Sequence, residues 1–573
     1  MLNPSQHEAT FAAFDALVVA GPGTGKTRVI ESRVGHLLDN PNNKIIVVTF
    51  TNDATAEIKA RLSQSYGSRI QSRVAVSTFH KLSIRLLQRN QLMGTLVRDF
   101  EQYNIIKKSI LLSGEDLTPQ EAIELLDQAK SSIGDHPQLN HPFIVEYQAE
   151  MAKKNLTDLM DVMRNCVSAL MAGKINPYQA THLLVDEAQD IDEIQLQWIL
   201  VHAQSGCQVM LVGDDDQSVY GFRRSLGYEG MTRFEKSTRA KRIVLNQNYR
   251  CKAEILDAAS RLITQNKERL HKSLIAEQGD GGKITLHRPA DLNQEARLLI
   301  SLLEESMRHG KGVEAGQWAV IARSNFQFYA IQLALLENDI PHIRNESKRI
   351  WPENVIAFLT ILNGLECLED SAIEAGLQVL GIALDQIKRI CASNNLESLR
   401  STGISTVPLD PLSKSYIDAL LSWRKQYFAH RLNLVLVGVC DWLKSSIGKN
   451  SDNAYLIDSA CSFMQKMSGS LAYRVNRLLN PERKDKSGSH GIQLHTMHSS
   501  KGLEFTHVFL CGVTANAIPS PKSFDIEEER RLMYVAMTRA KHHLHISAPY
   551  PQTPSVFVAE SGLTFNEHNS SHQ

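Results

Sequence analysis

Apolar and polar residues follow two different patterns along this chain. Short runs of consecutive apolar, β-branched residues are typical of buried parallel strands, and they alternate with segments of helical periodicity such as Asp53–Leu62. The strands predicted in the first half are Leu17–Ala20, Lys44–Phe50, Arg73–Ser77, Thr181–Val185, Gln208–Val212 and Arg242–Leu245. This half is therefore predicted to fold as an α/β domain around a parallel sheet.

A second α/β pattern follows the glycine-rich break Gln278–Gly282, which is typical of a linker or hinge. Helices are predicted over Asn293–Met307 and Ile526–Ala540. The predicted strands are Lys283–His287, Trp318–Ala322, Ile492–Thr496, His507–Gly512 and His543–Ser547. The pattern predicts a second parallel sheet.

Each α/β pattern is interrupted by a stretch in which helical periodicity dominates and strand signals disappear. Two lobes with two insertions agree with the three or four domains expected for 573 residues. The predicted division is a first lobe over 1–80 and 178–277, an insertion over 81–177, a second lobe over 278–364 and 488–548, an insertion over 365–487 and a loose polar tail over 549–573.

Composition narrows the class of protein only slightly. Lys+Arg and Asp+Glu both number 62, so a groove for nucleic acid would have to be a local concentration of positive charge. The eight cysteines are scattered without a C-x-x-C pair, which argues against a zinc or iron–sulfur site and fits reduced thiols. No apolar run reaches the ~18 residues of a membrane helix, and no signal peptide is recognised. We expect a soluble, cytoplasmic protein with no membrane partner.

The strongest local signal is a glycine-rich loop between the first predicted strand and a helix. This is the P-loop arrangement, in which backbone N–H groups surround phosphates, Lys26 adds a positive charge and the Thr27 hydroxyl can bind Mg²⁺. A chance glycine-rich turn is the alternative, and the flanking strand and helix disfavour it. The residues predicted to bind the triphosphate are Gly21, Pro22, Gly23, Thr24, Gly25, Lys26, Thr27 and Arg28.

Two acidic segments follow later predicted strands. Asp186 and Glu187 end an apolar strand, where Asp186 can hold Mg²⁺ and Glu187 can polarise the attacking water. An ordinary helix N-cap is the alternative. The segment Val212–Arg224 contains three consecutive aspartates, whose mutual repulsion makes a purely structural role less expected. In the functional interpretation Gln217 lies near the γ-phosphate and Tyr220 and Phe222 stack on bases; the alternative is an Asp-rich loop anchored by its aromatics.

Together these segments resemble the UvrD/Rep-type superfamily 1 DNA helicases over almost the whole chain. The resemblance implies two RecA-like P-loop NTPase lobes, each with a helical insertion, the second one (365–487) shortened. The matching segments, in the family's order, are Asn3–Gln6, Gly21–Thr27, Thr49–Asn52, Thr78–His80, Val185–Asp190, Val212–Arg223, Gln247–Arg250, Arg323–Asn325, His498–Phe505 and Glu528–Ala540.

The resemblance also implies roles at single positions. Gln6 would contact the adenine edge, Tyr249 would stack on the base and Glu504 would contact the ribose. Arg250 and Arg539 would be arginine fingers, with Arg539 coming from the second lobe. Single-stranded DNA would contact Phe50, Asn52, Thr78, Phe79, His80, Tyr220, Phe222, Arg223, Ser324, Asn325 and His498. Thr78 and His80 could equally cap the helix that follows them.

The implied activity is that of an ATP- and Mg²⁺-dependent DNA helicase of DNA repair type. It would move 3′ to 5′ on single-stranded DNA and open duplexes at single-strand/duplex junctions, with ATP bound in the cleft between the lobes. Two alternatives stay open. One is a translocase that strips proteins from single-stranded DNA with little unwinding, which the shortened insertion would suit. The other is an ATP-gated, DNA-binding subunit that works with DNA-processing protein partners in a larger processing or defence complex.

Overall fold

The computed structural model describes residues 2–134, 136–221, 224–308, 315–344, 351–447, 452–480 and 491–565. The chain forms two compact units. Unit 1 consists of Met1–Gly282, Ser523–His542 and Glu560–Gly562. Unit 2 consists of Lys283–Lys522, His543–Ala559 and Leu563–Gln573. The first passage of the chain between the units, after Gly282, falls in the glycine-rich break recognised in the sequence.

The centre of unit 1 is a six-stranded sheet in which all five strand pairings are parallel. Its strand order is β3-β2-β6-β7-β1-β8, and two pairs of very short strands, β4 with β5 and β9 with β10, lie outside it. The strands are β1 (Ala16–Ala20), β2 (Ile45–Thr49), β3 (Val74–Thr78), β4 (Thr95–Leu96), β5 (Leu156–Thr157), β6 (His182–Val185), β7 (Gln208–Gly213), β8 (Lys241–Leu245), β9 (Gln247–Asn248) and β10 (Ile275–Ala276).

Helices cover both faces of this sheet, because alternate apolar residues of each strand point to opposite sides. Leu17 and Val19 face one hydrophobic cluster, and Ala16, Val18 and Ala20 face the other. The helices are α1 (Pro4–Phe11), α2 (Lys26–Leu37), α3 (Asn52–Tyr66), α4 (Phe79–Arg89), α5 (Asp99–Ser113), α6 (Pro119–Ala129), α7 (Pro142–Lys153), α8 (Leu159–Met171), α9 (Glu193–Gln204), α10 (Gly227–Thr238) and α11 (Ala253–Ile263).

The first insertion is smaller than the pattern of the sequence indicated. Helices α5 to α7 share their own core, which includes Ile105, Phe143 and Tyr147. Helices α4 and α8 instead contribute to the cluster that covers the sheet, so they fold with the lobe. The paired strands β4 and β5 were also not predicted, since two residues are too few to show a strand period.

Unit 2 contains a second six-stranded sheet, in the order β11-β16-β15-β12-β14-β13. Its pairings of β11 with β16, of β12 with β14 and β15, and of β13 with β14 are parallel. The strands are β11 (Lys283–His287), β12 (Trp318–Ala322), β13 (His342–Arg344), β14 (Ile492–Thr496), β15 (Phe505–Leu510) and β16 (Ala540–Ser547). The edge strand β13 was missed because three residues carry little pattern.

The helices of unit 2 are α12 (Leu292–Arg308), α13 (Phe328–Glu337), α14 (Glu353–Asn363), α15 (Asp370–Val379), α16 (Leu384–Ile390), α17 (Ser393–Thr402), α18 (Pro411–Phe428), α19 (Leu432–Ile447), α20 (Asp452–Lys466) and α21 (Leu471–Leu479). Residues of α14 share one core with the helices of the second insertion, although α14 was predicted to belong to the lobe. Within the described ranges, no helix has both the length and the apolar character needed to cross a membrane.

Two helices near the chain end differ from the prediction. Helix α22 (Ile526–Met537) was predicted in the second lobe, but it packs on α11 and belongs to unit 1. Helix α23 (Val556–Glu560) lies in the stretch predicted to be a loose tail. Its Phe557 is fully buried, and Glu560 forms an ion pair with Arg530 at 2.7 Å. The stretch around α23 is therefore folded, because Phe557 and Val558 are buried and Glu560 is held by its ion pair.

Candidate active site

The predicted triphosphate loop lies at the carboxyl end of β1, and α2 begins directly after it at Lys26. Gly23 and Gly25 have φ of 63° and 84°, a left-handed conformation that side chains disfavour. A Cβ on Gly23 would lie 2.5 Å from Cβ of Arg250, and one on Gly25 would lie 2.9 Å from Nε2 of Gln6. Both positions therefore require glycine for conformation and for space.

The carbonyl oxygens of this loop are each held by a hydrogen-bond donor. The bonds run from Thr24 Oγ1 to Gly21 (2.9 Å), from Asn248 Nδ2 to Pro22 (2.6 Å), from the Tyr249 amide to Gly23 (2.9 Å) and from Gln6 Nε2 to Thr24 (3.0 Å). With its carbonyl oxygens engaged, the loop has its N–H groups and the N-terminus of α2 to offer an anion. Lys26 and Thr27 are partly exposed there, and Arg28 is exposed.

Asp186 and Glu187 leave the end of β6, the strand that lies two places from β1 in the sheet. The Glu187 amide donates to the Asp186 carboxylate at 3.0 Å, and Glu187 itself has φ of 51°. Burial, followed by repulsion from Glu187, raises the pKa of Asp186 to about 7, and the charge of Lys26 opposes the rise. A buried carboxylate next to a second one is an environment that favours a cation.

Side chains extend this site in a continuous series of hydrogen bonds. Gln189 Nε2 donates to Glu187 Oε2 at 2.6 Å, and Gln189 Oε1 accepts from the Asp214 amide at 2.8 Å. Gln217 Nε2 donates to Asp214 Oδ2 at 2.5 Å, and Gln217 Oε1 accepts from Arg539 Nη2 at 3.3 Å. Three of the predicted catalytic side chains, Glu187, Gln217 and Arg539, are thereby connected.

The three consecutive aspartates are neutralised, which corrects the expectation of mutual repulsion. The Nζ atom of Lys272 is fully buried and lies 3.0 Å from Asp214, 2.6 Å from Asp215 and 2.7 Å from Asp216. Burial alone would lower the pKa of Lys272, but the three carboxylates raise it above its ordinary value. The lysine ammonium thus occupies the position that a metal ion would take among these carboxylates.

Arg269 completes this cluster from the same segment of the chain. Its Nε and Nη2 donate to the two carboxylate oxygens of Asp216 at 3.0 and 2.7 Å, a bidentate pair. The Leu270 amide donates to Asp215 at 2.6 Å. The three aspartates are therefore bound to the segment that precedes β10. Asp214 also accepts the hydrogen bond from Gln217.

Arg539 belongs to unit 1 with α22, whereas the prediction placed it in the second lobe. It is 1% exposed, and its Nε donates to the Val535 carbonyl at 2.9 Å. Burial, followed by repulsion from Arg250, lowers the pKa of Arg539 to about 9. Helix α22 is held in place because Arg531 donates to the Ser218 carbonyl at 2.8 Å. The two predicted arginine fingers thus lie close enough to repel each other.

Gln6 and Tyr249 both bind carbonyl oxygens of the triphosphate loop. Gln6 is buried, and its amide is engaged with the Thr24 carbonyl and with the Asn3 amide, at 3.1 Å for the latter. Tyr249 is 39% exposed, and its hydroxyl accepts from Asn3 Nδ2 at 2.9 Å and donates to Gln247 Oε1 at 3.0 Å. Its ring is therefore fixed at one end and partly open to solvent.

The predicted DNA contacts of unit 1 do not all reach the surface. Phe79 is 2% exposed, with its ring in edge contact with Phe50 at 5.9 Å and Trp198 at 5.6 Å. It is a core residue, and its side chain is not open to the DNA contact that was predicted for it. The Thr78 hydroxyl accepts from the Lys81 amide at 3.4 Å and caps α4, the alternative named for it. The remaining contacts are partly or fully exposed: Phe50, Asn52, His80 and Tyr220. Phe222 and Arg223 lie outside the described residues.

The predicted site residues of unit 2 follow its strands. Ser324 and Asn325 come after β12, and His498 comes after β14, its parallel neighbour, so the three lie at the same edge of the sheet. Ser324 is exposed, and its amide donates to Gln327 Oε1 at 3.0 Å. Glu504 is exposed and lies at the opposite end, directly before β15.

The sequence interpretation missed several residues that organise this site. Gln189 lies inside a segment that was recognised, but a glutamine between two carboxylates carries no distinctive signal. Asn248 lies next to Tyr249, and its amide oxygen accepts from the Arg250 and Cys251 amides at 2.9 and 2.8 Å. Lys272 and Arg269 lie in a polar stretch without a motif, so their pairing with the aspartates has no local signal.

Comparisons with known proteins agree with this geometry. The profile of the UvrD/REP helicase N-terminal domain family matches residues 2–238. The profile of the UvrD-like helicase C-terminal domain family matches residues 243–364 and 457–549. The two matches together include every predicted site residue, and the stretch between 364 and 457 lies within the second helical insertion.

Curated relatives match over nearly the whole chain. DNA helicase II of Haemophilus influenzae and that of Escherichia coli are each 29% identical to it, over 98% of this chain and 85% of theirs. The ATP-dependent DNA helicase PcrA of Staphylococcus epidermidis is 27% identical, over 95% of this chain and 83% of its own. With both domain families matched in order and the site residues in place, the chain belongs to the UvrD/Rep-type superfamily 1 helicases.

Proposed function

We propose that this protein is an ATP-dependent DNA helicase that moves 3′ to 5′ on single-stranded DNA and opens duplexes at single-strand/duplex junctions. The observation that carries the proposal is the series of hydrogen bonds from Glu187 through Gln189, Asp214 and Gln217 to Arg539. It connects the proposed general base to a proposed arginine finger. The family and the names of the relatives support the same activity, and the proposed location is the cytoplasm, where the eight free cysteines would stay reduced.

The loop and strand ends fit ATP with Mg²⁺. The Thr27 hydroxyl and the Asp186 carboxylate are hard oxygen ligands of the kind that Mg²⁺ prefers, and the raised pKa of Asp186 reflects a site that gains from a cation. When bound, Mg²⁺ would neutralise charge on the β- and γ-phosphates. Lys26 and the N–H groups of the loop would hold the phosphates in line with Glu187.

Each remaining polar side chain then has a defined task in hydrolysis. Glu187 would accept a proton from the attacking water, and Gln189 fixes the orientation of its carboxylate by the bond at 2.6 Å. Gln217, Arg250 and Arg539 would stabilise the charge that develops on the transferred phosphoryl group. Burial, followed by repulsion from Arg250, lowers the pKa of Arg539 to about 9, and a bound phosphate group would stabilise its charged form.

We also propose which side chains contact the nucleoside and which contact DNA. The partly exposed ring of Tyr249 would stack on the adenine, Gln6 would contact its edge and Glu504 the ribose. Exposed aromatic and polar side chains would contact single-stranded DNA, where each base stacked on an aromatic ring contributes about 1–3 kcal/mol. These are Phe50, Asn52, His80 and Tyr220 in unit 1 and Ser324, Asn325 and His498 in unit 2, with Thr78 acting as the helix cap beside them.

ATP hydrolysis with and without nucleic acid is the first test. We expect slow hydrolysis by the protein alone, strong stimulation by single-stranded DNA and loss of both in Glu187→Gln. Mutation of the exposed Glu8, which pairs with Lys241 at the surface at 2.8 Å, is the matched control, because Glu8→Gln removes a carboxylate of unit 1 outside the site. Hydrolysis by Glu187→Gln at the wild-type rate would contradict the assignment.

Unwinding of duplexes with a 3′ or a 5′ single-stranded tail is the second test. We expect opening of the 3′-tailed duplex only. Stimulated hydrolysis without opening of either duplex, together with displacement of a protein from single-stranded DNA, would instead identify a protein-stripping translocase. Negligible activity of the purified chain, restored by a stoichiometric protein partner, would identify a subunit of a larger complex.

A further inference from the structure

A group of histidines that has no role assigned above lies on the sheet of unit 2. His507 lies on β15, and His543 and His545 lie on its neighbour β16. Because His543 and His545 are two positions apart on one strand, their side chains point to the same face of the sheet. One ring nitrogen from each of the three lies within 4.8 Å of those from the other two.

We propose that His507, His543 and His545 form a binding site for a divalent transition-metal cation, Zn²⁺. Imidazole nitrogen is a preferred ligand of this ion, and three histidine ligands with a fourth, open position form one of its recurrent arrangements. Two histidines at i and i+2 of one strand and one from the adjacent strand lie on one face of the sheet with their nitrogens close together. His507 and His543 are only half-buried, so water can reach the fourth position.

A second observation supports the site. The Nε2 of His287 and the Nδ1 of His545 form a hydrogen bond of 3.2 Å. This bond engages one ring nitrogen of His545 and holds the ring in place, as supporting partners do for histidines at metal sites. On the other side, Trp318 stacks against His507 with ring centroids 4.4 Å apart and planes inclined by 6°. The three histidines are thus contacted by His287 on one side and by Trp318 on the other.

The rings need a modest rearrangement to bind. The His507 and His543 rings are stacked, with centroids 4.6 Å apart and planes inclined by 24°. A tetrahedral ion with bonds of about 2.1 Å holds its ligand nitrogens about 3.4 Å apart, so the nitrogens must approach one another by up to about 1.4 Å. Rotation of the histidine side chains brings their nitrogens this much closer together. Lys283 is paired with His543 on the next strand, but it is exposed and its charge is screened by solvent.

The cysteine pattern of the sequence argued against a zinc site, and the structure refines that expectation. A cysteine site would need several thiolates grouped around one point. Cys440 and Cys461 contact each other, but among the described residues no cysteine belongs to a group of three or more potential metal ligands. The proposed site uses imidazoles alone. In the sequence, a spacing of 36 residues separates His507 from His543, so only the adjacency of β15 and β16 brings them together.

The test is zinc binding by the full chain after removal of metals with a chelator. Equilibrium dialysis with elemental analysis, in excess Mg²⁺ so that oxygen sites are occupied, should give one equivalent of Zn²⁺ for the wild type. We expect the double variant His507→Gln/His543→Gln to lose this binding. His542→Gln is the matched control, because His542 is the adjacent, exposed residue of the same strand, and it should retain one equivalent. His287→Gln should weaken affinity roughly 10–100-fold.

A second measurement does not depend on how the variants fold. Cobalt(II) replacing zinc in the wild type should give the visible absorption of a tetrahedral, nitrogen-bound ion without a thiolate charge-transfer band. Zn²⁺ should also raise the melting temperature of the wild type and of His542→Gln, but not that of the double variant. No zinc in the wild type, equal binding by the double variant or a thiolate band would each overturn the proposal.

Discussion

Each unit of this protein contains a six-stranded sheet with parallel pairings, but the two sheets differ sharply at their carboxyl edges. In unit 1, β1 is followed by a glycine loop, and β6 and β7 are followed by Asp186 and Asp214. In unit 2, buried side chains of the chain itself hold the turn that follows β15 at the equivalent edge. Glu295 of α12 is 1% exposed and accepts from the Gly512 amide at 2.8 Å, and Gln327 donates to the Gly512 carbonyl at 2.8 Å.

This difference shows that the fold provides a position for a site without determining its chemistry. Parallel strands direct their carboxyl ends to one edge in both units. In unit 1, glycines leave backbone N–H groups and space for an anion. In unit 2 a buried carboxyl occupies the edge, and burial raises the pKa of Glu295 to about 7. The edge of unit 1 therefore holds a loop built for phosphate, whereas in unit 2 Glu295 closes the end of β15 and Ser324 stays exposed at the same edge.

The largest expected effect distinguishes the two edges by activity. Lys26→Ala and Glu187→Gln should each lower the rate of ATP hydrolysis on the order of 10³-fold, because they remove a phosphate contact and a general base. Glu295→Gln should leave the rate unchanged. Steady-state hydrolysis with single-stranded DNA, with circular dichroism as a check of folding, measures this. An equal loss in Glu295→Gln would mean that the second edge takes part in hydrolysis.

The second effect concerns the acidic cluster that supports the edge of unit 1. Lys272→Met should lower the free energy of unfolding by about 3–5 kcal/mol, since it leaves three buried carboxylates without their lysine. Adding Asp215→Asn should recover part of the loss. Lys241→Met, which breaks the exposed pair with Glu8, is the control and should cost at most about 1 kcal/mol. Denaturant unfolding measures all three, and equal losses for the two lysines would refute the role of burial.

The third effect is a pH dependence expected of the closed edge. Because the pKa of Glu295 is raised in the folded state, its contribution to stability is present below the unfolded value of 4.5 and is lost as the pH rises through about 7. The difference of about 2.5 between the folded and unfolded pKa values of Glu295 corresponds to about 3 kcal/mol in the free energy of unfolding. The melting temperature of Glu295→Gln relative to the wild type should therefore increase between pH 5 and pH 8. A constant difference across this range would show that Glu295 is not buried in the folded state.

The smallest effect separates a core residue from a surface residue at the edge of the first sheet. Phe79→Leu should cost about 1 kcal/mol of stability and leave the affinity for single-stranded DNA unchanged, because Phe79 is buried. Phe50→Leu, at the half-buried neighbour of its ring, should instead weaken DNA binding by about 1 kcal/mol. Fluorescence anisotropy with a labelled oligonucleotide measures both. Weakened DNA binding by Phe79→Leu alone would show that Phe79 contacts DNA.

Most of the fold could be predicted because the strands have local signals. Lys283–His287, Trp318–Ala322 and Ile492–Thr496 were predicted with the bounds that the structure has. Very short strands were missed, since β13 and β4 have too few residues for a period. The placement of α22 was also missed, because helical periodicity identifies a buried face but not the partner that covers it.

The sequence by itself determined the candidate phosphate loop, the two acidic strand ends and the family. These features are contiguous, so the spacing of Gly23, Gly25 and Lys26 is enough to define a loop that opens a helix. It also identified Gln217 and Arg539 through the resemblance. It could not show that they contact each other, since 322 residues separate them.

Only the tertiary structure decided which charges neutralise each other and which aromatic residues are buried. Lys272 meets the aspartates from 56 to 58 residues away, and His507 meets His543 from a neighbouring strand. Phe79 follows a motif that suggested a DNA contact, yet the packing of Trp198 against its ring makes it part of the core. The physical reason is that burial and ion pairing depend on distance in space, and a pattern along the chain records only distance along the backbone.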